Sequence, residues 1–179
     1  MKSLFAILIA AFVWVTASAP AAAQNLYNAS DPRSVVYLVI SLSDRHALPG
    51  WNEPTFQMKL RPYLTDDFLR VVVKGAQIAK QKGIDLYDGD FFTGAQEMAH
   101  AKLFGADVVE QAGDAATVEA SVGTSADPAD EAKQGGKVRY QLKRVGGAWK
   151  IDDFRFLEDW AKTLPSIKTM FSDPVKYAG

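Results

Sequence analysis

Two adjacent aspartates near the end of the chain, Asp152 and Asp153, have the side chains best suited to acid–base chemistry. They follow Trp149 and Ile151 in a predicted strand, and a carboxylate held in apolar surroundings has a raised pKa that suits a general base. Tyr140, on the neighbouring predicted strand, has a hydroxyl that would stabilise a developing oxyanion. Asp153, Asp152 and Tyr140 are therefore the candidate catalytic residues.

A structural role for the two aspartates is the alternative. In that interpretation one carboxylate faces water and the other forms an ion pair with Lys150 or Arg155. The structural role is favoured, because structural ion pairs also perturb the pKa of carboxylates and no motif of a known active site accompanies these two.

The large aromatic side chains are candidates to line or rim a binding pocket. Trp51, Trp149 and Trp160, together with Tyr140, are the residues considered. The three tryptophans are the candidate ligand-binding residues, and the alternative is that several of them belong to the hydrophobic core.

Metal and cofactor sites are not expected. The chain has two histidines and no cysteine. Glu97 and His100 would share a face if their segment is helical, but two ligands do not complete a site of the usual four. No phosphate-binding glycine loop is present, so neither a metal nor a cofactor is predicted.

Two helices are predicted in the first half of the chain. Asp31-Pro32 is a typical helix start, and the following apolar spacing favours a helix, although Val35–Ile40 also fits a buried strand. Thr65 is a good cap for the second helix, and Gly83 is a good terminator. The segment between them, from Gly50 to Pro62, is predicted to be a loop whose Trp51, Phe56 and Met58 lie on the core.

The second half of the chain has the two-residue period of β-strands. Strands are predicted at Asp107–Gln111, Ala116–Val122, Val138–Lys143 and Ala148–Phe156, with turns at Gly113-Asp114 and Gly146-Gly147 and a solvated loop over Gly123–Gly136. A final helix is predicted within Glu158–Phe171, broken or restarted at Pro165, with Thr163 as a possible cap. Helices followed by antiparallel strands indicate an α+β fold.

The last strand changes parity at Asp152-Asp153. Trp149 and Ile151 share one face of a regular strand, whereas Phe154 and Phe156 share the other. A β-bulge at the two aspartates would put all four apolar residues on the core side and would display one carboxylate. The alternative is a regular strand in a sheet whose two faces are both partly covered.

Three short motifs and the closing strand resemble those of the nuclear transport factor two-like superfamily, and within it a group of bacterial secreted proteins of unknown function. The residues that carry the resemblance are Tyr63-Leu64-Thr65, Asp88-Gly89-Asp90-Phe91-Phe92, Ala95-Gln96-Glu97 and Trp149-Lys150-Ile151-Asp152-Asp153. Glu97 stands where the family usually has Asp. The resemblance implies a cone-like fold, in which a curved antiparallel sheet wraps around N-terminal helices and leaves a pocket, with a further helix at the C-terminus. It implies no particular reaction.

The first 23 residues have the composition of an export signal. Lys2 gives a positive start, an apolar run of about 12 residues follows, and Ala21-Ala22-Ala23 offers small residues for cleavage. A membrane span needs roughly 20 residues, so cleavage is expected rather than anchoring. We therefore predict a signal peptide over residues 1–23, one α+β domain over 24–179, and a periplasmic or secreted location.

The overall charge of the chain limits the classes of partner. The net charge is −1, and there is no basic stripe, which argues against nucleic acid and against an anionic membrane surface. No membrane span is expected once the signal is removed. The absence of cysteine excludes a disulfide scaffold.

Three functions are compatible with these features. The first is a non-enzymatic periplasmic domain that binds a small ligand, in a pocket of roughly 300 Å³ or more, or an envelope protein. The second is a small isomerase, dehydratase or hydrolase that uses a strand carboxylate as its base. The third is an immunity or inhibitor protein that blocks a partner's active site and exposes an apolar or acidic patch. No residue indicates the oligomeric state.

Overall fold

A computed structural model of the chain describes residues 28–44, 54–84, 91–94, 100–125 and 133–177. In chain order its elements are helices α1 (Pro32–Asp44), α2 (Pro54–Leu60) and α3 (Asp66–Lys82), strands β1 (His100–Ala112), β2 (Ala115–Ser125), β3 (Lys133–Val145) and β4 (Ala148–Phe156), a 3-10 turn (Asp159–Ala161) and helix α4 (Ile167–Ser172). The four strands form one antiparallel sheet in the order β1-β2-β3-β4. The predicted α+β class, with N-terminal helices, an antiparallel sheet and a C-terminal helix, is confirmed.

Helix α1 begins as its sequence predicts. The Asp31 carboxylate accepts a hydrogen bond from the backbone N–H of Arg33 at 2.9 Å, and proline occupies the first helical position. The apolar stripe is buried, with no exposure at Val35, Val36 and Val39. The alternative strand over Val35–Ile40 is therefore wrong, because the cap and the proline favour helical backbone over extended backbone.

Helix α2 corrects the prediction of a loop over Gly50–Pro62. Pro54 starts the helix at the position where a missing N–H costs nothing, and Leu60 at its end is fully buried. Met58 was expected on the core, but it is 69% exposed. A helix of seven residues is too short for its period to be read from sequence, and packing of its buried end stabilises it.

Helix α3 has the predicted cap at each end. The Thr65 hydroxyl accepts a hydrogen bond from the N–H of Phe68 at 3.1 Å, and Gly83 ends the helix with a left-handed φ of 64°. In its middle, Gly75 lies against the backbone of α4. A Cβ added there would be 2.2 Å from the carbonyl oxygen of Phe171, so only glycine allows the two helices to approach this closely.

The sheet has a core face and an outer face. The core face packs on the helices and carries the buried side chains Val118, Ala120, Val138, Tyr140, Leu142, Trp149 and Ile151. The outer face is polar and carries Asp107, Glu110, Thr117, Glu119, Arg139, Gln141 and Lys143. Both predicted turns are present, but the loop predicted over Gly123–Gly136 is too long. Strand β2 continues to Ser125, and β3 begins at Lys133.

The two edges of the sheet differ. A short extended segment, Tyr63–Thr65, lies along β4: the N–H of Thr65 donates to the carbonyl oxygen of Ile151, and the N–H of Ile151 donates to that of Tyr63, both at 2.9 Å. This segment covers the β4 edge at Ile151, and β1 forms the other edge of the described sheet.

The C-terminal helical region is divided, as the proline predicts, but its cap differs from the prediction. A 3-10 turn precedes Pro165, and α4 starts after Ser166, whose hydroxyl accepts a hydrogen bond from the N–H of Thr169 at 3.4 Å. Thr163 was the expected cap. Ser166 takes this role because Pro165 disfavours helical backbone at the residue before it, so the helix starts later.

None of the helices in these segments has both the length and the apolar character needed to cross a membrane.

Candidate functional site

The predicted β-bulge at the two aspartates is present. In the β3–β4 pairing Gln141 faces Asp153 and Leu142 faces Ile151, which leaves Asp152 as the extra residue. The shift in parity puts the apolar residues on both sides of the bulge in the core, with at most 6% exposure at Trp149, Ile151, Phe154 and Phe156. The bulge therefore lets one strand bury four large side chains and still place a carboxylate among polar groups.

Asp152 has three polar side-chain partners. Its Oδ1 accepts hydrogen bonds from the Thr65 hydroxyl at 2.7 Å and from Lys168 Nζ at 3.2 Å, and its Oδ2 lies 2.8 Å from Lys143 Nζ. The residue itself is only 8% exposed. The sequence-based alternative of an ion pair with Lys150 or Arg155 is corrected here, because the bulge turns Asp152 toward β3 and α4.

The ion pairs continue from Asp152 into α3. Lys168 Nζ also lies 2.6 Å from Oδ2 of Asp67, in the first turn of that helix. We call Lys143, Asp152, Lys168 and Asp67 the ionic cluster. It connects β3, β4, α4 and α3 with alternating charges.

The electrostatics of the cluster keep Asp152 ionised. Burial by itself would raise the pKa of this carboxyl, but the hydrogen bonds from Lys143, Thr65 and Lys168 outweigh burial and hold the pKa below its ordinary value. Burial would likewise lower the pKa of Lys168, whereas its bonds to Asp67 and Asp152 raise it. A carboxylate that is ionised and already paired in this way is a poor proton acceptor.

Asp153 anchors the start of α4. Its Oδ1 accepts hydrogen bonds from the backbone N–H of Phe154 at 2.8 Å and from that of Lys168 at 2.9 Å. Burial raises the pKa of this carboxyl, and the bonds from the Ser166 side chain and the two N–H groups offset only part of the increase. A raised pKa suits a general base, but the carboxylate already serves as an acceptor for the first turn of the helix.

Tyr140 lies on the core face of the sheet. The side chain is fully buried, and its hydroxyl donates a hydrogen bond to the carbonyl oxygen of Phe92 at 2.5 Å. Gln141, the next residue in β3, pairs with Asp153 on the opposite face. The sheet therefore separates the Tyr140 side chain from the face to which Asp153 belongs.

Of the three candidate tryptophans, Trp149 is described in full. It has no exposed surface, its Nε1 donates to the carbonyl oxygen of Ser30 at 3.2 Å, and the Arg144 guanidinium lies 4.6 Å from the ring centroid. It packs as a core residue. Trp51 and the side chain of Trp160 lie outside the described residues.

A groove of about 200 Å³ crosses the outer face at the β1–β2 turn. It passes over all four strands, and the Lys143–Asp152 pair lies in its wall. The lining residues are Glu110, Ala112, Ala115, Ala116, Thr117, Gln141, Leu142, Lys143 and Asp152. Asp152 is already paired with Lys143 and Lys168, so Glu110 is the carboxylate of this lining that would suit a cationic or hydrogen-bonding group.

The described segments contain no trio of histidine, aspartate or glutamate side chains placed to hold a metal ion. Glu97 lies outside those segments, and only the backbone of His100, at the start of β1, is described.

Sequence reasoning identified the bulge and both aspartates but missed the two lysines that pair with Asp152. Lys143 appeared only as one polar residue of an alternating strand, and Lys168 is separated from Asp152 by 16 positions, a proline and a turn. A basic residue in the first turn of a helix, where the dipole disfavours it, indicates an acidic partner, but the expected cap at Thr163 did not place Lys168 in that turn.

Comparison of the sequence with protein-family models gives no match, and comparison with curated proteins gives none either. Among solved structures, the chain is similar to the intermembrane space region of the chloroplast protein ARC6. The identity is 16%, the alignment covers 74% of this chain and 98% of the other, and the TM-score is 0.37. A score this low does not show a shared fold, so the similarity carries no argument about function.

Proposed function

We propose that this protein is an exported, non-enzymatic domain that binds another protein. The observation that carries the proposal is that each candidate catalytic side chain already forms hydrogen bonds within the fold. Asp152 holds Thr65 and two lysines, Asp153 holds the start of α4, and the Tyr140 hydroxyl bonds inside the core. Each polar group therefore has a role in the fold.

The groove on the outer face suits a side chain of a protein partner better than it suits a small molecule. Its volume of about 200 Å³ is below the roughly 300 Å³ that sites for drug-sized ligands begin with. A shallow groove of this size accommodates a single side chain of a partner. Three large apolar side chains close together on β1, Phe104, Val108 and Val109, are also partly exposed, which supports a protein-binding surface.

The proposed export rests on the first 23 residues, whose positive start, short apolar run and small residues match a cleaved signal. We also propose membership of the nuclear transport factor two-like superfamily. The order of helices before an antiparallel sheet, and the closing strand that runs from Trp149 to Asp153, support that membership.

The experiment is native mass spectrometry of the tagged protein isolated from its own periplasm. We expect a mature chain that starts at Gln24, in a complex of fixed stoichiometry with one protein species. The D152N and D153N variants should carry the same partner, because neither carboxylate performs chemistry in this proposal.

A co-purifying small molecule in place of a protein would contradict the proposal. So would a substrate that the wild-type protein converts and the D153N variant does not, which would establish the enzyme alternative instead.

A further inference from the structure

The free edge of the sheet, β1, has the features of a site for strand addition. It is 13 residues long, pairs with β2 on one side, and has no strand on its other side within the described residues. Alternate N–H and C=O groups of an edge strand point away from the sheet and can pair with an added strand. Proteins commonly protect such edges with lysine, proline or β-bulges; β1 has Lys102 near its start and two bulges, but Leu103–Ala112 contains no lysine or proline.

Large apolar side chains are exposed along this edge. The pairing of β1 with β2 has irregularities between Leu103 and Gly105 and between Val108 and Glu110, so Phe104 and Val109 are extra residues. Phe104 is 43% exposed, Val108 37% and Val109 51%. Each of the two bulges therefore has a large, partly exposed apolar side chain as its extra residue.

The outer face of the same strand is acidic. Asp107 and Glu110 are both exposed there, and Glu110 also lines the groove. Of the basic residues nearby, Arg33 forms an ion pair with Asp31 at 2.8 Å and also interacts electrostatically with Asp107, and Lys102 lies 5.6 Å from the Phe104 ring centroid. A positive charge on a partner would therefore meet two exposed carboxylates, Glu110 and, in competition with Arg33, Asp107.

We propose that β1 binds an extended segment of a partner protein in which apolar residues alternate with lysine or arginine. This inference rests on the proposed protein-binding function and specifies the chemistry of the partner. Successive side chains of an added strand point to opposite faces. The apolar ones pack beside Phe104, Val108 and Val109, and the basic ones lie beside Asp107 and Glu110. Main-chain hydrogen bonds give affinity, and the alternating side chains give specificity.

A second copy of this chain fits the edge poorly. Two β1 strands pairing about a two-fold axis near Val108, where the exposed apolar residues lie, would bring Asp107 and Glu110 of one copy beside the same residues of the other. Like charges opposite each other on neighbouring strands are destabilising. Charge complementarity therefore favours a different, basic protein over self-association.

The test is selection of a phage-displayed library of random nine-residue peptides on the purified wild-type protein. We expect enriched peptides to alternate apolar residues with Lys or Arg. One enriched peptide, made synthetically, is then titrated against variants, and amide hydrogen exchange is measured with and without it. Bound peptide should protect β1 amides that exchange in the free protein.

The critical variant is V109K, and the matched control is V145K, since Val109 and Val145 are both about half exposed, at 51% and 48%. We expect V109K to weaken peptide binding about tenfold or more and V145K to change it less than about twofold. The D107N/E110Q double variant should also weaken binding and reduce its salt dependence, whereas D159N, at an exposed aspartate away from β1, should not.

Two outcomes overturn the inference. Enriched peptides that lack the alternation, or that bind V109K as well as V145K, show that β1 is not the site. If no peptide is enriched, strand addition is also wrong. In either case a partner found by native mass spectrometry would leave the protein-binding function in place, so the two failures are distinguishable.

Discussion

The hydroxyl of Thr65 donates a hydrogen bond to Oδ1 of Asp152 at 2.7 Å, although the two residues are 87 positions apart. Thr65 also caps α3 by accepting the N–H of Phe68. One hydroxyl thus ties the start of a helix to the bulge of the last strand. Through this contact and the ionic cluster, Asp152 connects the sheet to helices α3 and α4.

The first prediction compares D152N with D153N. Replacing Asp152 removes the charge that faces Lys143 and Lys168, and we expect a loss of about 2 kcal/mol in the free energy of unfolding. Asn at 153 still accepts both backbone N–H groups, and burial already disfavours the charge there, so its cost should stay below about 1 kcal/mol. Urea unfolding at pH 7 measures the free energy of unfolding of both variants, and equal losses in D152N and D153N would contradict the structural role of Asp152.

The second prediction concerns acid. The pKa of Asp152 is 3.8 in the unfolded chain and lower in the folded protein. As the pH falls from 3.8 through the folded pKa, the unfolded chain therefore binds more protons than the folded protein, and the free energy of unfolding decreases. Asp153 has the opposite sign: its raised pKa means that stability falls as pH rises from 3.8 through its folded pKa. The midpoint of thermal unfolding, measured from pH 2 to 6, should therefore depend less on pH in D152N and more steeply in D153N.

A reversed order of the two variants in that series would show that the charge states are assigned wrongly.

The third prediction concerns the contact between α3 and α4. Gly75→Ala would normally stabilise a helix, but the new Cβ would meet the Phe171 carbonyl oxygen at 2.2 Å. We expect a net loss of about 1–3 kcal/mol, because backbone on both sides resists movement. Gly105→Ala in β1, where the added Cβ meets nothing within 4 Å, is the control and should change stability by less than about 0.5 kcal/mol. A neutral G75A would mean that the helices separate easily.

The fourth prediction concerns Tyr140. Y140F removes the hydroxyl that bonds to the Phe92 carbonyl oxygen inside the core, and we expect a loss of about 1 kcal/mol with no change in partner binding. Y37F is the control, because Tyr37 is 43% exposed, and it should cost less than about 0.5 kcal/mol. Chemical denaturation compares the two variants. Loss of a catalysed reaction in Y140F, without loss of stability, would support the enzyme alternative.

The sequence by itself determined the features whose causes are local. The Thr65 cap bonds a residue three positions away, Gly83 supplies a left-handed φ, and the two-residue period sets which strand residues are buried. The change of parity at Asp152-Asp153 predicted a bulge but left a regular strand with two partly covered faces as the alternative, and the β3–β4 pairing decided between them.

Only the tertiary structure decided what depends on distant residues. Helix α2 is too short to show a period, and its buried end, Leu60, packs in the core. The partners of Asp152 proved to be Lys143 and Lys168, not the nearby Lys150 or Arg155, because the direction in which a bulged residue points depends on which strand and helix pack beside it. The position of β1 at an edge of the described sheet was equally hidden, since strand order is set by the assembled sheet and not by any segment of the chain.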